Sequence, residues 1–363
     1  GVSIAVGAGF SMEKSHASTA IETPTSVRDR ISPGGFPQKN SRPTVTSETN
    51  SVCRSTSAGC LRAKKGRIRT LSWVQKLGRT QRWWTDHAEV KLDMKAVKMG
   101  KVANVYTAEW RSLEIAVKAL KTQKEDKHSM EQLMEEIQLW STVRHPNIVM
   151  FLGASFRSDV GLMLLLENMS GGTLADRISS GALTSKKAWK VAFEVSRAMA
   201  FLHSCRPPII HGDICPENIL FDAHGRAKVA DFRLGKYIDI NKNLKESKMK
   251  VPLDSAKFLA PEAIRTFKST LKSDVYAYGV VLSEMFQAPT SRAQPLPTNE
   301  EFLQRALSGQ GPDARITARV KNGCALKLIM GCIRETPSER PTFTEMSEAL
   351  ETKSAQKTNC SVM

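Results

Sequence analysis

The order of its hydrophobic patterns most constrains what this chain of 363 residues can fold into. Between residues 90 and 120, and again in "NIVMFLGASF" and "GLMLLLEN", apolar side chains either alternate with polar ones or form short runs, which predicts β-strands. After the Gly171-Gly172 pair, the apolar spacing becomes that of amphipathic helices. Strands that precede helices, with a break between them, predict an α+β fold with two lobes.

Particular segments show this change of period. In "EIAVKAL", Ile115 and Val117 are predicted to face one side of a strand, while Ala116 and Lys118 face the other. A helix is predicted from the spacing of Met130, Leu133, Met134, Ile137 and Trp140. A later helix is predicted from one apolar face that contains Val191, Val195, Met199 and Leu202.

Residues 1–82 are predicted to form a disordered basic tail, because they are rich in Ser and Thr and show no sustained period. The chain carries a formal charge of +17, and residues 1–84 hold 14 Lys and Arg against 4 Asp and Glu. A solvated tail, a nuclear-import or acidic-surface patch and an organellar transit peptide are the alternatives. No nucleic-acid-binding module accompanies the charge, so no specific nucleic acid partner is predicted.

The cysteines and the apolar runs indicate a cytoplasmic protein. The seven cysteines include no C-x-x-C pair, which argues against a zinc site and against a disulfide framework. Every strictly apolar run is far shorter than the roughly 18 residues that a membrane span needs.

Three polar residues have the spacing of a phosphoryl-transfer site. Asp213 and Asn218 lie in "HGDICPEN", and Asp231, in "VADFRLG", follows eighteen positions after Asp213. Transfer of a phosphoryl group to a hydroxyl needs a carboxylate to accept the hydroxyl proton. It also needs oxygen ligands that hold Mg²⁺ on the nucleotide phosphates, and this arrangement supplies both.

These motifs, together with "IAVK", "RHPNIV", "APE" and "SDVYAYGVVL", resemble those of protein kinases, and most closely the tyrosine-kinase-like group that includes Raf-like kinases. The resemblance covers about residues 84–351. It implies a kinase-like domain over residues 83–351, with a β-rich N-lobe (83–167) that has one helix and a helical C-lobe (170–351).

The resemblance implies a role for each polar residue of the site. Lys118 is expected to neutralise nucleotide phosphates and to pair with Glu136, for which Glu135 is the alternative by one position. Asp213 is expected to be the catalytic base. Asn218 and Asp231 are expected to hold Mg²⁺, so that ATP and Mg²⁺ are the implied cofactors.

The resemblance also places the nucleotide. ATP is expected to contact the phosphate loop, the strands that follow it and the hinge, at Gly100, Val105, Ala116, Lys118, Glu167 and Met169, with Leu166 at the gatekeeper position. Two further features are expected to be architectural: an ion pair between Glu262 and Arg340, and a brace on the catalytic loop from Asp274, next to a long helix at 275–286.

Four features depart from the family pattern. Gly212 and Cys215 stand where Arg and Lys are usual in the catalytic loop, and Arg233 replaces the glycine after Asp-Phe. Of the three glycines usual in the phosphate loop, only Gly100 is present. Fewer glycines weaken the approach of backbone N–H groups to phosphate, and Cys215 removes a cation near the transferred group.

Two functions therefore compete. One is a slow ATP-dependent kinase that phosphorylates Ser or Thr of proteins, which "PEN" after the catalytic Asp favours over a tyrosine kinase. The other is a pseudokinase that acts as a nucleotide-responsive scaffold for signalling partners. A protein substrate or a signalling partner is expected in either case.

The last residues predict a lipid anchor. Cys360-Ser361-Val362-Met363 fits a C-a-a-X box of the type that receives a farnesyl group. With residues 352–363 as a short tail, a single lipid chain would give reversible peripheral membrane binding.

Overall fold

The computed structural model describes residues 71–99, 103–120, 137–231, 236–237, 253–287 and 298–359. All of them lie within Lys64–Met363, one of the two units into which the chain divides. Several predicted features fall outside the described residues, namely the tail at 1–70, most of the helix that begins at Met130, and the residues Gly100, Glu135, Glu136, Arg233 and Cys360. Their predicted roles stay predictions.

Five antiparallel strands form the sheet of the N-lobe. They are β1 (Val90–Met99), β2 (Ala103–Trp110), β3 (Leu113–Leu120), β4 (Phe151–Arg157) and β5 (Gly161–Glu167). Their order in the sheet is β1-β2-β3-β5-β4. The predicted strands of this region are confirmed, and so is the α+β fold class.

The alternation along β3 decides which of its side chains are buried and which face the other side of the sheet. Ile115 and Val117 are buried on one face, while Ala116 and Lys118 are half-buried on the other, as predicted. The hairpin between β2 and β3 turns at Arg111 and Ser112, both with positive φ (51° and 61°). Such a two-residue turn matches the twist of the strands that it joins. The periodicity thus places Lys118 on the face opposite the buried pair.

A helix precedes residue 83, the residue at which the kinase-like domain is predicted to begin. Helix α1 (Leu71–Thr80) buries Val74, and it approaches the ring of Trp83 at Gly78. A Cβ at Gly78 would come within 2.6 Å of that ring. Leu71, Val74 and Leu77 have the spacing of one helical face, a local signal that the Ser- and Thr-rich composition of the preceding stretch outweighed in the prediction.

Helices dominate the rest of the structure. After α2, of which residues 137–142 are described, they are α3 (Leu174–Ser179), α4 (Ser185–Ser204), α5 (Pro261–Thr266), α6 (Leu271–Met285), α7 (Asn299–Leu307), α8 (Arg315–Ala318), α9 (Gly323–Cys332) and α10 (Phe343–Asn359). Short strands lie among them: β6 (Ile209–Ile210), β7 (Ile219–Phe221), β8 (Ala227–Val229) and β9 (Lys236–Tyr237).

Helices α4 and α6 form the centre of the C-lobe core. The predicted apolar face of α4 is confirmed, since Val191, Val195, Met199 and Leu202 are all buried. Helix α6 is buried along almost its whole length. It begins at Leu271, four residues before the predicted start, because Thr270 and Ser273 form a capping box.

The C-terminal boundary also differs from the prediction. Helix α10 runs to Asn359, through eight residues of the predicted tail at 352–363. Among the described residues, no helix is both long and apolar enough to cross a membrane.

Candidate functional site

The segment predicted to be the catalytic loop follows β6 and ends in the 3₁₀ turn Pro216–Asn218. Asp274, in the first turn of α6, hydrogen-bonds to its backbone. The carboxylate of Asp274 accepts hydrogen bonds from the backbone N–H groups of His211 (2.9 Å) and Gly212 (2.8 Å). Asp274 is buried, so these charge-assisted bonds are protected from water. The predicted brace on the catalytic loop is confirmed.

A second contact orients Asp274, and sequence reasoning missed it. Nε2 of His203, at the end of α4, lies 2.9 Å from Oδ2 of Asp274. The ring of His203 packs edge-on against Phe343 of α10. His203 thus connects the brace to the C-terminal helix, and no local motif marks this role.

Asn218 holds the side chain of Asp213 in place. Its Nδ2 donates to the backbone O of Asp213 at 2.8 Å and to Oδ2 of the same residue at 3.1 Å. Asp213 is only 8% exposed. Because Nδ2 of Asn218 is engaged, its amide oxygen is the atom that remains for a cation.

His211 links the backbone at Asp213 to the backbone next to Asp231, although the sequence analysis gave it no role. Its Nδ1 accepts the backbone N–H of Asp213 at 3.2 Å, so Nε2 carries the proton and donates to Ala230 O at 3.0 Å. Ala230 immediately precedes Asp231. A buried His two residues before Asp213 therefore connects the backbone of Asp213 to the residue that precedes Asp231.

Lys118 and Asp231 meet across the cleft between the lobes. Nζ of Lys118 lies 2.9 Å from Oδ1 of Asp231, and their side chains are 11% and 32% exposed. Nζ also lies 5.9 Å from the ring centroid of Trp140 in α2. Asp231 has φ of +62°, a region that Asp tolerates better than most residues. The predicted Lys118 and Asp231 are thus brought together.

Three of the predicted nucleotide contacts, Val105, Ala116 and Lys118, share one face of the N-lobe sheet, whereas Glu167 pairs with Ile115 and lies on the other face. Val105 of β2 pairs with Lys118 of β3, and Ala116 pairs with Leu166 of β5. Met169 follows β5, and its backbone makes no hydrogen bond to any other described residue. Its N–H and C=O are therefore available to a ligand such as adenine.

Glu167 has a further role that the sequence did not reveal. Its backbone N–H donates to Met150 O (3.1 Å), and its carboxylate accepts the N–H of Met150 (2.7 Å). The same carboxylate pairs with Nζ of Lys228 in β8 at 2.6 Å. Glu167 therefore also links β5 to Met150, which precedes β4, and to β8.

The two substitutions in the catalytic loop have physical consequences. Gly212 has φ of +76°, which glycine adopts without the steric cost of a side chain. Cys215 is buried, and burial, followed by the charges of Asp213 and Glu217, raises the pKa of its thiol well above the ordinary value. Cys215 is thus neutral and supplies no positive charge beside Asp213.

The predicted ion pair between Glu262 and Arg340 is confirmed. Two guanidinium nitrogens of Arg340 lie 2.6 and 2.9 Å from the two carboxylate oxygens of Glu262. Arg340 also donates to the backbone O of Arg334 and Lys272. Its side chain is fully buried, so the pair anchors α5 to the segment that precedes α10.

The chemistry of the donor set suits Mg²⁺. An amide oxygen and a carboxylate are hard oxygen ligands, and Mg²⁺ in nucleotide sites takes one or two such groups beside phosphate oxygens. Among the described residues no group of three or more His, Cys, Asp and Glu is arranged to hold a metal by itself. Asn218 and Asp231 therefore fit a metal that arrives with the nucleotide.

Comparison with known proteins agrees with this geometry. Residues 92–350 match the family model "Protein tyrosine and serine/threonine kinase". The chain is 30% identical over 255 residues to probable serine/threonine-protein kinase drkC of Dictyostelium discoideum, covering 69% of this chain and 33% of that protein. It is 32% identical over 252 residues to serine/threonine-protein kinase 12 of Arabidopsis thaliana, covering 67% and 52% respectively.

A third relative is serine/threonine-protein kinase CTR1 of Arabidopsis thaliana, 30% identical over 260 residues, which are 69% of this chain and 30% of that protein. The chain thus spans about a third to a half of the length of these relatives. The matched region begins two residues into β1 and ends in α10.

Proposed function

We propose that this chain, which belongs to the protein tyrosine and serine/threonine kinase family, transfers the γ-phosphate of ATP to Ser or Thr hydroxyls of protein substrates. The resemblance to the tyrosine-kinase-like, Raf-like group is part of this proposal. The protein substrates are also part of the proposal, because the chain matches only a part of each relative and the activity of the whole relative does not carry over directly.

The arrangement of Asp213 and Asn218 is the observation that carries the proposal. A carboxylate that is 8% exposed and fixed by an amide 3.1 Å away is preorganised to accept a proton from a substrate hydroxyl. The proton moves to a carboxylate oxygen of Asp213 as the hydroxyl oxygen attacks the γ-phosphorus and the bond to ADP breaks. His211 and Asp274 keep the backbone of the base in place.

Mg²⁺ and ATP are part of the proposal. The amide oxygen of Asn218 and the carboxylate of Asp231 would hold the metal, which neutralises developing charge on the phosphates when it is bound. Lys118 lies beside Asp231, which supports the proposal that its ammonium contacts the nucleotide phosphates. Val105, Ala116, Glu167 and Met169 would hold the adenine end.

We propose that the enzyme is slow. Loss of one preorganised cation typically lowers a rate by about 10²–10³, and the neutral thiol of Cys215 stands where such a cation would act. The departures at Gly212, at Arg233 and around Gly100 are expected to weaken regulation and nucleotide binding rather than to remove the base.

A scaffold without catalytic activity is the second candidate, and the neutral, buried Cys215 favours it. In that case the retained Lys118, Asp213 and Asp231 would bind nucleotide, and the bound form would recruit a signalling partner. Nucleotide binding alone does not separate the two candidates, so phosphate transfer must be measured.

Incubation of the full chain with [γ-³²P]ATP, Mg²⁺ and a generic Ser/Thr protein acceptor tests the proposal. Transfer is expected, and it should disappear with EDTA and with Lys118→Met. Lys91→Met is the matched control, because Lys91 pairs with Glu109 on the exposed surface of the N-lobe. If the wild type incorporates no more label than the Lys118→Met variant but still shows a nucleotide-induced thermal shift, the scaffold is favoured instead.

A further inference from the structure

A cavity that the transfer chemistry does not use lies on the N-lobe. Its walls are α1, the segment between α1 and β1, and β4 at the edge of the sheet. Its volume is about 360 Å³, within the range of about 300–1,000 Å³ that small-molecule pockets occupy. None of the described residues that are predicted to contact ATP lines this cavity, so it is separate from the nucleotide cleft.

Contacts within the protein hold the walls of the cavity together without a ligand. The N–H of Thr85 donates to Ala154 O at 2.9 Å, and the N–H of Ala154 donates to Trp83 O at 3.0 Å. Gly78 of α1 lies so close to the ring of Trp83 that a Cβ there would come within 2.6 Å of it. Helix α1, residues 83–85 and β4 are therefore fixed relative to one another, and the cavity among them is preformed.

Ser155 of β4 brings an unpaired hydroxyl to the cavity. Ser155 lines the cavity and is fully buried, and its Oγ has no hydrogen-bond partner among the residues that the structure describes. It shares a face of β4 with Gly153, and the backbone O of Trp83 and the hydroxyl of Thr85 lie against that face. Buried hydroxyls nearly always have a partner, because an unpaired one is destabilising. A ligand in the cavity would supply that partner.

The charges around the cavity favour an anion. Arg79 of α1 lines the cavity, is exposed, and has no ion-pair partner in the part of the chain that the structure describes. The acidic residue of the lining is Asp86, and its carboxylate is already engaged. Its Oδ1 accepts the N–H of Ala88 at 3.0 Å and lies 3.3 Å from Nδ1 of His87. The guanidinium of Arg79 is thus the charge that lacks a partner, and an anion would balance it.

Two aromatic side chains give the cavity apolar surface. Trp84 and Phe156 both line it, and both are half-buried, so part of each side chain remains accessible. Aromatic surfaces favour a planar ring as their partner. Gln75 of α1 adds an amide that can donate or accept a hydrogen bond. The lining therefore combines apolar surface with a few polar groups, as ligand pockets do.

We propose that this cavity binds a small aromatic carboxylate. The ring of the ligand contacts Trp84 and Phe156. Its carboxylate pairs with Arg79, and another polar atom of the ligand accepts a hydrogen bond from the hydroxyl of Ser155. Because such a ligand contacts α1 and β4 at once, its binding fastens α1 to the N-lobe sheet. The proposal does not rest on phosphate transfer.

Isothermal titration calorimetry on the full chain tests the proposal with two probes of the same shape. They are 6-hydroxy-2-naphthoate, which is an anion at neutral pH, and its uncharged carboxamide. The wild type is expected to bind the carboxylate with a Kd below about 1 mM, and about tenfold more tightly than the carboxamide because of one charge pair. Saturating AMP-PNP and Mg²⁺ should leave both affinities unchanged, because the cavity is separate from the nucleotide cleft.

Substitution of Arg79 tests the charge contact. Arg79→Gln should abolish the preference for the carboxylate, so that the two probes bind with equal affinity. Lys76→Gln is the matched control and should leave the preference unchanged, because Lys76 is exposed on the same helix and does not line the cavity.

Substitution of Ser155 tests the hydrogen bond. Ser155→Ala should weaken the binding of both probes by about three- to tenfold, which corresponds to the loss of one hydrogen bond. It should not lower the stability of the free protein in urea denaturation, because the hydroxyl that it removes is unpaired among the described residues. Ser283→Ala, which removes a hydroxyl bonded to Val280 O in α6, is the matched control and should not change probe affinity.

Absence of saturable binding of the carboxylate up to about 10 mM would overturn the proposal. So would a carboxylate preference that survives Arg79→Gln or disappears in Lys76→Gln, and so would a probe affinity that Ser155→Ala leaves unchanged. Displacement of the probe by AMP-PNP would place it in the nucleotide cleft and would likewise overturn the proposal. Probe binding by a protein that transfers no phosphate would reject the proposed kinase activity and retain this site, so the two failures are distinguishable.

Discussion

Lys118 and Asp231, 113 residues apart in the sequence, form an ion pair with 2.9 Å between Nζ and Oδ1. Lys118 belongs to the sheet of the N-lobe, whereas Asp231 follows β8 of the C-lobe. The charged centre of the site therefore exists only when the two lobes pack together. Two contacts to β8 and the residue after it support this arrangement. His211 hydrogen-bonds to the backbone O of Ala230, and Glu167 forms an ion pair with Lys228.

Breaking the ion pair between Arg340 and Glu262 should destabilise the protein strongly. Arg340→Met leaves the carboxylate of Glu262 without its partner in a mostly buried place, which typically costs about 3–5 kcal/mol. Urea denaturation measures the loss of unfolding free energy. Arg334→Met is the matched control, because the pair of Arg334 with Glu339 is about half exposed and should contribute at most about 1 kcal/mol. Similar losses in both variants would contradict the architectural role of Arg340.

The backbone of Gly212 predicts a separable effect on activity. Gly212→Ala places a Cβ at φ of +76° and should cost about 1–2 kcal/mol of stability. Gly181→Ala, at φ of +68° in an exposed turn, should cost a similar amount. Only the change at Gly212 should also slow phosphate transfer, because its N–H bonds to Asp274 beside the base. Equal transfer rates in the two variants would contradict this account.

A cation at position 215 should speed phosphate transfer. Cys215→Lys returns positive charge to the side of the base, and the gain should reach up to about 10²-fold in single-turnover rate. Cys215→Ser, which stays neutral, should bring no comparable gain. If Cys215→Lys is folded and no faster than Cys215→Ser, Cys215 does not limit transfer, and the phosphate loop around Gly100 becomes the next candidate for the proposed slow rate.

Acid should destabilise the fold through His145. Burial, together with the nearby charge of Arg197, lowers the pKa of His145 from 6.5 to about 4. The unfolded chain therefore takes up a proton between these pH values while the folded protein does not, and stability falls as the pH drops through this window. In urea denaturation at pH 7 and pH 5, His145→Asn should show a smaller pH effect than the wild type. The exposed His224→Gln should behave as the wild type does.

Much of the fold could be predicted from the sequence because its signals are local. Alternation in β3 placed Ile115 and Val117 inside, and the helical face of α4 was likewise readable. The family pattern also identified long-range partners such as Glu262 and Arg340. Asp213, Asn218 and Asp231 were identified by spacing, and the structure describes all three near one another.

Helix α1 has the helical spacing of Leu71, Val74 and Leu77, but it is short and follows a Ser- and Thr-rich stretch, so composition assigned it to a disordered tail. The remaining features depend on contacts that no local pattern encodes. The partners of Glu167 and Asp274, namely Lys228 and His203, come from distant segments and carry no motif. The pair of Lys257 with Glu284 likewise joins two segments that only tertiary packing brings together.

Single-turnover transfer from [γ-³²P]ATP by the wild type and by Asp213→Asn tests the central claim most directly. The account predicts that the variant loses transfer by at least about 10²-fold, the usual contribution of a general base. It should still bind ATP with Mg²⁺, as a thermal shift equal to that of the wild type, because the base contributes little to ground-state nucleotide affinity. Equal incorporation of label by the two proteins would contradict the assignment of Asp213 as the base.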